Sequence, residues 1–74
     1  MNEEWARLEA AAGRSIGLGR YADAAALLRQ ALALRPDHAD SWFNLGYALR
    51  HTRAYPAALE AYAAALRHHV GGAE

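Results

Sequence analysis

The chain has 74 residues, no cysteine, eight arginines without a lysine, and eight acids that bring the formal net charge to zero. This length supports one small domain that buries only about 60% of its unfolded surface, and neither a disulfide nor a thiolate zinc site can reinforce it. The scattered charges exclude a polybasic footprint for nucleic acid or anionic lipid, and no apolar run approaches the roughly 20 residues of a membrane span.

Four helical segments are predicted, in chain order. The first opens at Asn2 as N-cap, with Glu3 and Glu4 in a first turn that favours acids, and carries Trp5, Leu8, Ala12 and Ser15 on one face as far as Leu18. Gly19-Arg20 breaks it. Ala24, Leu27, Leu28, Ala31 and Leu32 then recur at the i, i+3, i+4, i+7 spacing of an amphipathic helix, which Pro36 stops. Asp37 reads as the next N-cap, with Asp40 as an acidic capping-box partner, and leads into Trp42, Leu45, Gly46 and Leu49. After Thr52-Arg53-Ala54, Pro56 suits the first turn of a fourth helix whose stripe is Ala58, Leu59, Tyr62, Ala65 and Leu66. Gly71-Gly72 is expected to end it, leaving a frayed tail at 71–74.

No stretch alternates with a period of two, so the class is all-α. Short connections make successive helices antiparallel, which gives two helix-turn-helix hairpins in series. Twenty alanines serve the same end, since alanine is the best helix former and permits close helix approach. Arginine without lysine has no folding logic and fits the codon habit of a high-GC, bacterial genome. Glu3 and Glu4 stand where a signal peptide needs basic residues, and a cysteine-free chain is compatible with the cytoplasm.

Displacing the chain by 34 residues aligns Tyr21 with Tyr55, Ala24 with Ala58, Ala31 with Ala65 and Leu32 with Leu66. Ala12 falls on Gly46 and Leu8 on Trp42, so small meets small and large meets large. The second half reads Trp42-x2-Leu45-Gly46-x2-Leu49, then Ala58-x3-Tyr62, with Val70 at the place of a closing proline. The first half is degenerate: Leu8, Ala11, Ala12 and Ser15, then Ala24-x3-Leu28 and Pro36. Both halves resemble tetratricopeptide repeats, whose pattern is W-x2-L-G-x2-Y, A-x3-F, P. On that register a single domain spans 1–74, with repeat 1 at about 5–38 and repeat 2 at about 39–70. Gly46, which costs roughly 1 kcal/mol against alanine in a helix, is then expected at a close crossing near Ala58, with Trp42 filling the adjoining gap.

Catalytic and metal chemistry find no footing in the sequence. His68 and His69 are adjacent and point about 100° apart on a helix, without a His, Asp or Glu partner at i+4, and all four histidines read as solvated surface residues. Ser15 and Ser41 lack a glycine elbow, and no phosphate loop or dinucleotide fingerprint is present. The expectation is a non-enzymatic chain without cofactor or metal.

The third helix carries the most informative surface. Trp42, Leu45, Gly46 and Leu49 project to one side, while Asp40, Phe43, Asn44, Tyr47, Arg50 and His51 project to the other. The resemblance implies that first helices of successive repeats line a groove for a partner's peptide, and aromatic and arginine side chains suit such work. The candidate peptide-binding residues are Phe43, Asn44, Tyr47, Arg50 and Glu9, with packing of Phe43 on the first repeat as the plain alternative. Relatives that clamp a C-terminal carboxylate carry Lys and Asn on the first helix; Glu9 and Gly13 stand there instead, so a basic or neutral apolar segment is the expected ligand.

Stacked repeats generally need about three units and a polar cap, and only two are visible here. Tyr62, Ala65 and Leu66 should therefore be covered by a second copy, a different protein, or further repeats if the chain is the N-terminal part of a larger one. The leading expectation is a protein-interaction module that binds a peptide on its concave face. A self-associating structural module, joined through Tyr62, Ala65 and Leu66, is the alternative.

Overall fold

The computed structural model describes residues 3–72. It consists of α1 (Glu3–Gly17), α2 (Tyr21–Leu34), α3 (Ala39–His51) and α4 (Tyr55–Gly72), and each helix packs on the next in chain order. The result is two helix hairpins forming a slab of 35 × 31 × 17 Å. No helix among the described residues is long and apolar enough to cross a membrane.

The two hairpin turns are built alike. After α1, the amide of Gly19 donates to the Ile16 carbonyl (3.0 Å) and that of Arg20 to the Ser15 carbonyl (2.8 Å). After α3, Arg53 donates to Arg50 (3.0 Å) and Ala54 to Leu49 (2.9 Å). This is the double-bonded Schellman stop, which needs a left-handed residue just past the helix. Gly19 supplies it at φ +77°; Arg53, 34 residues on, adopts φ +66° with a full side chain. The hydrogen-bond pattern of the turn thus survives the replacement of glycine by arginine.

Between the repeats, the predicted cap is displaced by one residue. His38, not Asp37, is the N-cap of α3: its backbone is extended, and its Nδ1 accepts from the Ser41 amide at 3.2 Å. Asp40 remains in the acidic first turn, exposed to solvent. The expected cap at Asn2 lies outside the described residues, as do 73–74 of the expected tail, while α4 runs through Gly71 and Gly72.

Alanine builds most of the core. Ala12, Ala24, Ala25, Ala48, Ala58 and Ala61 cluster with Leu28, Leu32, Leu45 and Leu49, all buried. Small side chains let the helices approach closely, and Leu28 and Ser41 are the largest side chains that are fully enclosed. On α4 the buried stripe differs from expectation: Ala58, Ala61, Ala64 and Ala65 are buried and Tyr62 half-buried, but Leu59 and Leu66 are 69% and 66% exposed. The alanines take the side facing α3 because they allow close contact, which turns the two leucines onto the outer flank. Gly46 is also placed differently: the group against it is the ring of Tyr62, one turn further along α4 than Ala58. Trp42 sits half-buried beside it, donating from Nε1 to the Pro36 carbonyl at 2.7 Å and stacking near-parallel to His68 with centroids 6.3 Å apart.

Candidate interaction surface

Helical geometry gives α3 one buried and one outward arc. Ser41, Leu45, Gly46, Ala48 and Leu49 are buried, so Asp40, Phe43, Tyr47 and Arg50, on the opposite side at 100° per residue, face away from the core. Asp40 and Arg50 are exposed, and Phe43 is 54% exposed, unusual for a phenylalanine. Asn44 is half-buried at the edge of this arc.

The five expected peptide-binding residues do not form one cluster. Tyr47 and Arg50 belong to an aromatic group at the hairpin-turn end. The His51 ring lies nearly parallel to Tyr21 at 4.3 Å and tilted against Tyr47 at 4.6 Å, while Tyr21 and Tyr47 meet edge-on at 6.1 Å. The Arg50 guanidinium stands 5.8 Å from the Tyr47 ring, within range of a cation–π attraction. Beside this group, Tyr21, Asp23, His51 and Thr52 line an open depression of about 440 Å³. Tyr47 is consequently half-buried, held between repeats where the helical spacing alone suggested a free side chain.

Phe43 lies at the other end of the arc, where its aromatic partner is on the second repeat. Its ring tilts against Tyr62 of α4 at 5.5 Å, and the two border a second groove of about 370 Å³ whose lining includes Asp40, Ala65, Leu66 and His69. Of the residues expected to need a cover, Leu66 is open, Tyr62 is half-buried beneath Phe43, and Ala65 is only 8% exposed because it belongs to the alanine stripe against α3.

Glu9 is engaged elsewhere. Its carboxylate accepts a hydrogen bond from the Ser41 hydroxyl across the repeat boundary. Ser41 Oγ is also 2.8 Å from His38 Nδ1, and the His38 ring meets Trp5 edge-on at 4.7 Å, with Arg35 over the Trp5 face at 4.6 Å. The cluster ties α1 to the start of α3 and satisfies Ser41, the one buried polar residue among the described residues. Glu9 therefore holds the repeats together and is not a free groove acid. Nor are all four histidines fully solvated: His38 caps α3 and half-buried His68 stacks on Trp42, whereas His51, stacked on Tyr21, and His69 are exposed. The roles of Ser41 and Tyr21 escaped the sequence reading, because a serine in a first turn and a tyrosine after a turn carry no sign of a partner on another helix. Among the described residues, no three His, Cys, Asp or Glu side chains converge as metal ligands would.

Two antiparallel helix pairs stacked in sequence, with a 34-residue register and matching turns, define a helical-hairpin repeat protein. The tetratricopeptide repeat family model matches residues 16–71, and the chain belongs to that family. No curated protein and no solved structure matches it. Repeats of this family are protein-interaction modules in general and are typically non-catalytic.

Proposed function

We propose that the chain binds an extended peptide segment of a partner protein along the outward arc of α3. The observation that carries this reading is that Asp40, Phe43, Tyr47 and Arg50, spanning about 15 Å at 1.5 Å per residue, share the arc of α3 opposite its buried face, with Asp40, Phe43 and Arg50 exposed and Tyr47 half-buried. A strand-like peptide of about five residues covers that length. Phe43 and Tyr47 offer it apolar faces, Asn44 an amide at the edge, and the two ends of the arc carry opposite charge. The fitting segment has an apolar centre, with a basic group toward Asp40 and an acidic or polar one toward Arg50. With Glu9 committed to Ser41, selectivity rests on this end-to-end polarity. The cysteine-free chain is compatible with such work in the cytoplasm.

The test is selection of binders from a displayed random-peptide library, followed by calorimetric titration of the parent chain and of Arg50→Ala and Tyr47→Ala. Arg50 is exposed, so its truncation should change stability by no more than about 0.5 kcal/mol while weakening binding by about tenfold or more. Tyr47→Ala should weaken binding and also lower stability, since its ring packs on Tyr21 and His51. Binding of the selected peptides unchanged by both substitutions overturns the reading.

A further inference from the structure

The internal repeat supplies a template for the exposed flank of α4. Ala25, Leu28 and Leu32 on α2 are 3%, 1% and 6% exposed, in a core cluster that includes Leu45 and Ala48 of α3, the helix that follows and packs on α2. Thirty-four residues later the same positions are Leu59, Tyr62 and Leu66, and there the two leucines are 69% and 66% exposed. Phe43, 54% exposed, is the counterpart of Glu9, whose carboxylate meets Ser41 of α3. Repeat 2 thus repeats the surface on which repeat 1 receives a helix, with larger apolar side chains and no described helix on it. A continuous patch of this kind marks an interface.

The chain's own residues discriminate between ways of covering it with a second copy. Head-to-tail stacking would lay α1 of one copy on α3 and α4 of the next, as α3 lies on α1 and α2. That arrangement puts Arg7 and Arg14 where Ser41 and Ala48 stand, two positions with 0% exposure; the pairing of Arg7 with Glu3 at 3.8 Å is a solvent-exposed one, and burying both guanidinium groups against an apolar face is strongly unfavourable. The flank of α4 has no such charge at its centre. Leu59, Tyr62 and Leu66 are apolar or aromatic, and the ionisable groups lining the adjacent groove are an acid, Asp40, and an imidazole, His69; an imidazole N–H of one copy can donate to the carboxylate of the other.

We propose that the chain forms a closed, two-fold dimer by pairing the Leu59–Tyr62–Leu66 flank of α4 with the same flank of a second copy. An isologous contact of this type is self-complementary and stops at two. The aromatic group at Tyr21, Tyr47 and His51 stays outside the interface, whereas Asp40 and Phe43 border both surfaces, so a dimer competes with a peptide at that end of α3, and the oligomeric state of the chain without peptide tests the dimer separately.

Sedimentation equilibrium from micromolar to millimolar loading tests it. The expected result is a concentration-dependent rise from the 8.0 kDa chain mass to twice that value and no further. Leu59→Glu with Leu66→Glu, at positions already exposed, should keep the helical circular-dichroism signal and weaken dimerisation by about a hundredfold or more, whereas Arg7→Ala with Arg14→Ala should leave it unchanged. A monomer at millimolar concentration overturns the proposal. A ladder of higher oligomers, or a doubled mass that survives the two glutamates, overturns it as well, since the first requires head-to-tail contact and the second a different surface.

Discussion

Gly46 of α3 lies directly under the ring of Tyr62 of α4: a β-carbon on Gly46 would stand 2.8 Å from both Cδ1 and Cε1 of the tyrosine and 3.1 Å from Cγ. Carbon atoms attract best at about 3.5–4.0 Å, so any side chain at this position forces the ring or the helix to move. Phe43 backs the ring at 5.5 Å and resists that shift. The glycine is therefore explained by a contact between helices, and its propensity cost is offset by the seating of Tyr62.

Gly46→Ala should accordingly lower stability by about 1–3 kcal/mol in urea denaturation, the usual range for overpacking. In a Tyr62→Ala background the clash is gone, and the same change should raise stability by about 1 kcal/mol through helix propensity alone. The reversal of sign is the diagnostic result. A stabilising Gly46→Ala in the parent chain would show that the ring yields without cost.

The two hairpin turns make a reciprocal pair of predictions. Arg53 holds φ +66°, a conformation that costs a residue with a β-carbon about 1–2 kcal/mol, whereas glycine occupies it freely but loses more chain entropy on folding. Arg53→Gly should stabilise the chain by about 0.5–1 kcal/mol net. Gly19→Ala should destabilise it by about 1 kcal/mol, although an added β-carbon would meet nothing within 4 Å, because the penalty is one of backbone conformation. Thermal melts of the two variants should move in opposite directions.

Ser41 and Glu9 should be energetically coupled. Removing a buried hydroxyl that bridges a carboxylate and an imidazole costs about 1–3 kcal/mol, and half-buried Glu9 can recover part of its hydration, which favours the lower end for Ser41→Ala. A double-mutant cycle with Glu9→Ala should give a coupling of about 0.5 kcal/mol or more. Additive losses would mean that the contact across the repeat boundary contributes no stability.

Much of the fold was legible before any coordinates. Helical periodicity located four helices, and Gly19, Pro36 and Thr52-Arg53-Ala54 marked the breaks between them. The 34-residue register disclosed the repeat. The candidate surface was less legible. The outward arc of α3 followed from the angular positions of Phe43, Tyr47 and Arg50, but their contacts did not, nor did the partners of Glu9 and His38.

The reason is physical. Which side of a helix is apolar, where a chain must turn, and whether two halves match are properties of local spacing, and the sequence by itself determined them. Whether Tyr62 or Ala58 meets Gly46, whether Glu9 reaches Ser41, and whether Leu66 or Ala65 is covered depend on how far one helix slides and rotates against its neighbour. A rotation of tens of degrees, which leaves the amphipathic pattern of α4 recognisable, exchanges its leucines for its alanines at the contact. Only the packed tertiary structure decided that, because the preference for close approach by small side chains is settled between helices and is written on neither one alone.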